Sequence, residues 1–312
     1  MNTRRRLVLS LLAALLVTGL AAGTALAGRA HVSKKTGLGS LPEKAMDSAL
    51  QIQGSKGNGV LQFSFDRTDI TNVKLRGVPI KPPFELNGDM DFQPLGHGQA
   101  FLNGDLPVQS ADMDRTISAI VRNGLAFQAE HQHFYDFRPI VWFIHIRARG
   151  NALDLARKVH SVLKAAGTPL PQSSPSNPKT PFDAARLKQI LHGYDAQVSD
   201  DGVVTVFVAR RSPIHINGVR VKPAANIATN IAFEPLNSSG TDAAVAPDFG
   251  MVASEVDRVV ATMQGLGWDI GCLYNQETAE NPQLYFSHQF KTGDPYALAQ
   301  EVRDGLNRMN SQ

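Results

Sequence analysis

A chain of 312 residues, 43% hydrophobic and 19% charged, carries a formal charge of +3. Three arginines and no acid fall within the first 27 residues, so the remainder is formally neutral and lacks the basic footprint that nucleic-acid binding requires. The only cysteine, Cys272, excludes an intramolecular disulfide, and stability must come from apolar burial in domains of ordinary size.

The first segment, residues 1–27, joins a basic start (Arg4, Arg5, Arg6) to an apolar run and ends in Ala25-Leu26-Ala27, the pattern of a secretory signal peptide. Thr3 to Val8 also fits a twin-arginine signal loosely, so both a Sec and a Tat route stay open. No later stretch is long and apolar enough to span a membrane, and no cysteine follows the cleavage point to carry a lipid. The expected location is periplasmic or secreted, with any macromolecular partner in the cell envelope.

Residues 42–52 have helical apolar spacing, and Leu61-Gln62-Phe63-Ser64-Phe65 alternates like a strand. Gly77-Val78 with Lys81-Pro82 reads as a turn leading into an edge strand. A strand near 100–108 precedes a helix over 111–123, with Met113, Ile117, Ile120 and Val121 on one face and Gly124 as its stop. Strands follow at 125–133 and 140–147, then a helix over 153–163 with Asn151 as N-cap. Residues 166–180, rich in Pro and Ser, read as a linker.

The same elements then recur. From Asp105 onward the chain realigns on itself without a gap at a shift of 143 (Gly124 on Gly267, Pro139 on Pro282, His145 on His288). Upstream the shift is 141, as in Lys81 on Lys222 and Phe92 on Phe233. A period this long means duplicated domains rather than a solenoid. The expected organisation is a first copy at 40–165, the linker, and a second copy at 181–310. The order strand, helix, strand, strand, helix predicts an α+β fold. Each copy is a ferredoxin-like antiparallel sheet with helices on one face.

The copies disagree at histidines. His131 and His133 of the first meet Tyr274 and Gln276 of the second. Side chains alternate along a strand, so His131 and His133 share a face, with Cα atoms roughly 6.5–7 Å apart. If His131 lies opposite Phe143 on the next strand, His145 sits one diagonal step away and three imidazoles converge. Three neutral nitrogens suit Zn, Cu, Ni or Fe and leave a position for water or a small molecule. A slip of one residue would turn His145 away. Because His145 recurs as His288, it also reads as a core histidine bonded to a backbone carbonyl. Asp136 and Arg138, in the turn between these strands, are candidate ligand-binding residues. Asp105, Asp248, Lys81 and Lys222 recur in both copies and read as structural, and Cys272 as an inert thiol on the core face. No nucleophile elbow, phosphate-binding glycine loop or dinucleotide fingerprint is present, and no residue is singled out as catalytic.

Glu130-His131-Gln132-His133, Pro139 to His145 and Gly150 to Ala156, preceded by Gly77-Val78 and Lys81-Pro82, resemble the LppY/LpqO family of exported bacterial proteins. The resemblance covers both copies and implies an uncharacterised exported protein with His131, His133 and His145 as its motif histidines. Gln132 departs from the usual Asn, and the second copy keeps only Asn275 and His288. Three readings remain open. One is a protein binding a metal ion or small ligand at the histidine face, with the second copy as structural partner. Another is a metal-dependent hydrolase or lyase at the same site, and the third a cell-envelope module with packed histidines.

Overall fold

The computed structural model describes residues 41–311, so the signal-like segment lies outside the described residues. The first copy runs α1 (Glu43–Leu50), β1 (Ser55–Gly57), β2 (Val60–Asp66), β3 (Lys74–Leu75), β4 (Val78–Pro79), β5 (Asn87–Gly96), β6 (Gln99–Gln109), α2 (Met113–Arg122), β7 (Ala126–His131), β8 (Val141–Asn151) and α3 (Ala152–Ala165). The second runs α4 (Ala184–Leu191), β9 (Asp195–Val198), β10 (Val204–Val208), β11 (Ile214–Ile216), β12 (Val219–Val221), β13 (Thr229–Pro235), β14 (Ala243–Val252), α5 (Ala253–Gly265), β15 (Asp269–Ile270), β16 (Glu280–Asn281), β17 (Leu284–Gly293) and α6 (Pro295–Leu306). No helix among the described residues is long and apolar enough to cross a membrane.

Two six-stranded sheets result, in the orders β1-β2-β5-β6-β8-β7 and β15-β17-β14-β13-β10-β9. Within the first, β6, α2, β7, β8 and α3 form the expected split unit, with β8 between β6 and β7. The helices cover one face only, where Leu61, Phe63, Met90, Leu102, Ile144 and Ile146 meet α1, α2 and α3. Local signals act where the sequence puts them. The Asn151 side chain accepts from the Asp154 N–H at 3.1 Å, and its counterpart Asp294 caps α6 through Ala297 at 2.7 Å. Gly124 and Gly267 both end their helices at positive φ.

One expectation needs correction, at the end of β7, and two gain detail. The Gly-Val segments sit in the short hairpins β3–β4 and β11–β12, outside both large sheets. The strand predicted through 133 stops at His131, because Phe134 and Phe137 leave it to become buried with Phe84 and Phe290. Within residues 166–180, Gln172 accepts from the Asp66 N–H and donates to the Asp66 carbonyl, each at 2.8 Å.

The helix-free faces of the two sheets turn toward each other, and each copy's hairpin region covers the other's sheet. Ile70, Val73, Leu75 and Phe84 join Ala232, Ala244, Ala246 and Phe290 in one apolar cluster. Ile214, Ile216, Val221 and Ile227 join Val60 and Phe101 in another. The exchange is reciprocal at single hydrogen bonds. The Lys81 N–H donates to Glu234 at 3.0 Å, and the Lys222 N–H donates to Gln93, the residue equivalent to Glu234, at 2.8 Å. Lys81 and Lys222 are thus clamps between the copies.

Candidate functional site

Alternation decides what lines the space between the sheets. On β8, Ile144 and Ile146 point to the helices, so Phe143 and His145 point to the other copy. On β5 and β6 the same rule turns Asp89, Asp91, Asn103 and Asp105 inward. Across the first sheet, ladder pairing aligns Ser64, Asp89, Asp105 and His145 in one row. The second sheet aligns Asn230, Asp248 and His288 in the equivalent row. A buried sheet face is usually apolar, so this concentration of titratable groups marks the site.

His131 does lie opposite Phe143, and His145 opposite Ala129. The His131 and His145 ring centroids are 5.1 Å apart. The three nitrogens within reach of one another are nevertheless those of His131, His133 and His288, all within 4.8 Å. His133, past the end of β7, stacks its ring on His288 at 3.6 Å and on Phe143 at 3.3 Å. His131 stacks on Tyr274 at 3.5 Å. The structure therefore joins the expected pair to His288 of the second copy rather than to His145. The single-domain face expected from the sequence becomes an interface between copies.

Carboxylates surround these rings. Glu85 Oε2 lies 2.9 Å from His133 Nδ1 and 3.5 Å from His288 Nε2, and Asp248 lies 3.6 Å from His288 Nδ1. With Nδ1–H donating to Glu85, His133 Nε2 is left as the free lone pair, the arrangement by which a carboxylate orients a metal-binding imidazole. Glu85 has φ 65°, and its equivalent Asn226 has φ 56°. A glutamate rarely adopts this left-handed backbone, and such strain gathers at functional sites.

Burial, followed by neighbouring imidazoles, pushes His131, His133 and His288 well below the usual histidine range, and burial takes His145 to about 3. Burial lifts Asp248 to about 8 and holds Glu85 and Asp105 well above ordinary carboxyls, with neighbouring acids adding to the effect. The rings are therefore neutral, as metal ligands must be. Both nitrogens of His131, both of His145, Nε2 of His133 and Oδ1 of Asp105 and Asp248 are buried without a hydrogen-bond partner. Buried polar atoms are nearly always satisfied, so such a cluster calls for ordered water, an ion or a ligand. A cavity of about 590 Å³ opens onto it, lined by Glu85, Asp105 and His133 of one copy and Asp248, Tyr274 and His288 of the other.

The remaining sequence candidates lie elsewhere. Asp136 pairs with Arg76 at 3.5 Å, and Arg138, exposed, donates to the Phe137 carbonyl at 2.7 Å; neither lines the cavity. Cys272 is half-buried rather than in the helix-side core, with Sγ 3.5 Å from His288 Nδ1, and burial pushes its thiol up. Neither His145 nor His288 bonds a backbone carbonyl through its ring. Sequence reasoning missed His288 and Glu85. Recurrence made His288 look structural. The signal for Glu85 is a paired change: at the 141 shift it becomes Asn226, while His133 becomes Gln276, and Gln276 donates to the Asn226 carbonyl where His133 meets Glu85.

No curated protein matches the chain. Two solved structures are similar over most of their length. A trimeric bacterial microcompartment shell protein PduB is 9% identical, over 83% of this chain and 91% of that one, with a TM-score of 0.21. EtuB from Clostridium kluyveri is 10% identical over 82% and 91%, with a TM-score of 0.19. No common fold follows from scores of that size. The family that matches is described as Domain of Unknown Function (DUF1259), over residues 44–165 and again over 185–308. This match replaces the LppY/LpqO assignment expected from the histidine motif, which no comparison returns. The chain belongs to the DUF1259 family, in two tandem copies.

Proposed function

We propose that this protein binds one divalent transition metal ion, Zn, Cu, Ni or Fe, between its two copies through His131, His133 and His288. The observation that carries the reading is the meeting of three neutral, buried imidazoles within 4.8 Å, with the nitrogens of His131 and His133 Nε2 lacking any partner. Ligands at about 2 Å from one ion sit roughly 3–4 Å apart, so closure needs about an ångström of ring movement. Glu85 and Asp248 balance the ion's charge and become carboxylates as it binds.

Metal analysis of the purified protein tests this. Close to one ion per chain is expected in the wild type, and almost none in His131→Ala/His133→Ala or in His288→Ala. A wild type that takes up no Zn²⁺, Cu²⁺ or Fe²⁺ on reconstitution sinks the reading. The cavity favours a second reading, a hydrolase or lyase in which the ion activates a bound water and Glu85 or Asp248 moves its proton. Export to the periplasm or beyond, carried by residues 1–27, completes the proposal, and cell fractionation tests it.

A further inference from the structure

We propose that the chamber beside the histidine centre binds a small organic cation, a protonated alkylamine whose ammonium group is held by Asp89, Asp105 and Asp248. The inference rests on the metal reading only for the ion at the chamber's inner end.

Size is the first argument. A chamber of about 590 Å³ falls in the range of small-molecule sites, whereas one water occupies about 30 Å³ of liquid. Charge is the second. Eight carboxylates line the chamber against one basic side chain, Lys56, and Lys56 is already paired with Glu43. Carboxylate or phosphate ligands would find no cationic partner there, and a neutral polyol would offer the acids no positive group.

Position is the third argument. Asp89 and Asp105 stand directly opposite one another on β5 and β6, an arrangement that is destabilising for like charges unless something positive lies between or above them. Asp248 lines the same chamber from the facing sheet. Asp105 Oδ1 and Asp248 Oδ1, on facing sheets, both line the chamber, buried and without a hydrogen-bond partner. An ammonium group offers three donors, one for each aspartate. Finally, Pro83, Val203, Phe207 and Ala232 supply apolar wall. A bare second metal ion has no use for such a wall, and a methylene chain does.

Calorimetric titration of the full chain, both zinc-loaded and EDTA-treated, with 1,4-diaminobutane, 1,4-butanediol and succinate tests the proposal. The diamine is expected to bind at least tenfold more tightly than the diol, more weakly at high salt, and succinate not at all. Asp89→Asn/Asp105→Asn should lose at least tenfold in diamine affinity with zinc content unchanged. Equal binding of diamine and diol by the wild type overturns the proposal whether or not the variant folds. So does undiminished diamine binding by the folded variant, or a second equivalent of zinc that the diamine fails to displace. Zinc uptake without diamine binding ends this proposal and leaves the metal reading standing; diamine binding without zinc uptake does the reverse.

Discussion

Glu85 joins two costs, a left-handed backbone and a carboxyl buried beside Asp248 and Asp105, and its contact with His133 gives both a purpose. Glu85→Gln keeps the shape and removes the charge, so metal affinity should fall by about 10–100-fold, the usual loss when the partner of a ligating histidine is changed. Competition against a chromophoric chelator measures it. His145→Gln and His288→Gln separate the two recurring histidines: metal content should survive the first and collapse in the second. At this scale the sequence was half legible. The inward placing of His131 follows from strand alternation, while His133 reaches the same centre from just past the strand's end. His288 was not legible, because its contacts cross between copies and no local periodicity encodes which faces of two domains meet; Glu85 was not, because it sits in an irregular turn with no period to place it.

Among the elements, the long ones were readable because their apolar spacing repeats several times. The two- and three-residue hairpin strands carry too few residues to show any period, and β7 looked longer than it is because Phe134 suits a strand as well as a core. One tie between elements was not visible at all. Arg210, following β10, meets Glu255 on α5 through two bonds at 2.7 and 3.1 Å, and Glu255 also accepts from the Val252 and Asn310 N–H groups. Arg67 occupies the equivalent place in the first copy and donates to the Pro107 carbonyl. Glu255→Ala strands the buried guanidinium, and a loss of about 3–5 kcal/mol is expected from urea unfolding.

Reciprocal docking of the hairpins makes the two copies one cooperative body. Trp142 lies in the first copy and Trp268 in the second, and these are the only two tryptophans. Single-tryptophan variants should therefore report coincident unfolding midpoints; two separated transitions would show that the copies melt apart. The duplication that predicts two domains says nothing of this, since interlocking depends on surfaces rather than on order along the chain. Stability should also depend on pH in a defined direction. Burial lifts Glu234 and Glu280 to about 7 and Asp248 to about 8, against about 4 when unfolded. The folded state thus holds more protons between those values, and its stability is lost as pH rises through 7–8. The neutral histidines oppose this only below about pH 6.5, where the unfolded chain protonates. Melting of the metal-free protein should fall from pH 6.5 to 8.5, and the fall should shrink once an ion is bound.

The histidines that meet at the centre come from points far apart along the chain, His133 in one copy and His288 in the other. An ion held by both closes a loop of more than a hundred residues, and in chain-entropy terms a link of that span is worth roughly 5 kcal/mol. On the proposed reading, the ion that serves the site would also be a staple. In a chain whose single cysteine bars any internal disulfide, chelation of the proposed metal should lower stability by about that amount while the docked hairpins still hold the copies together.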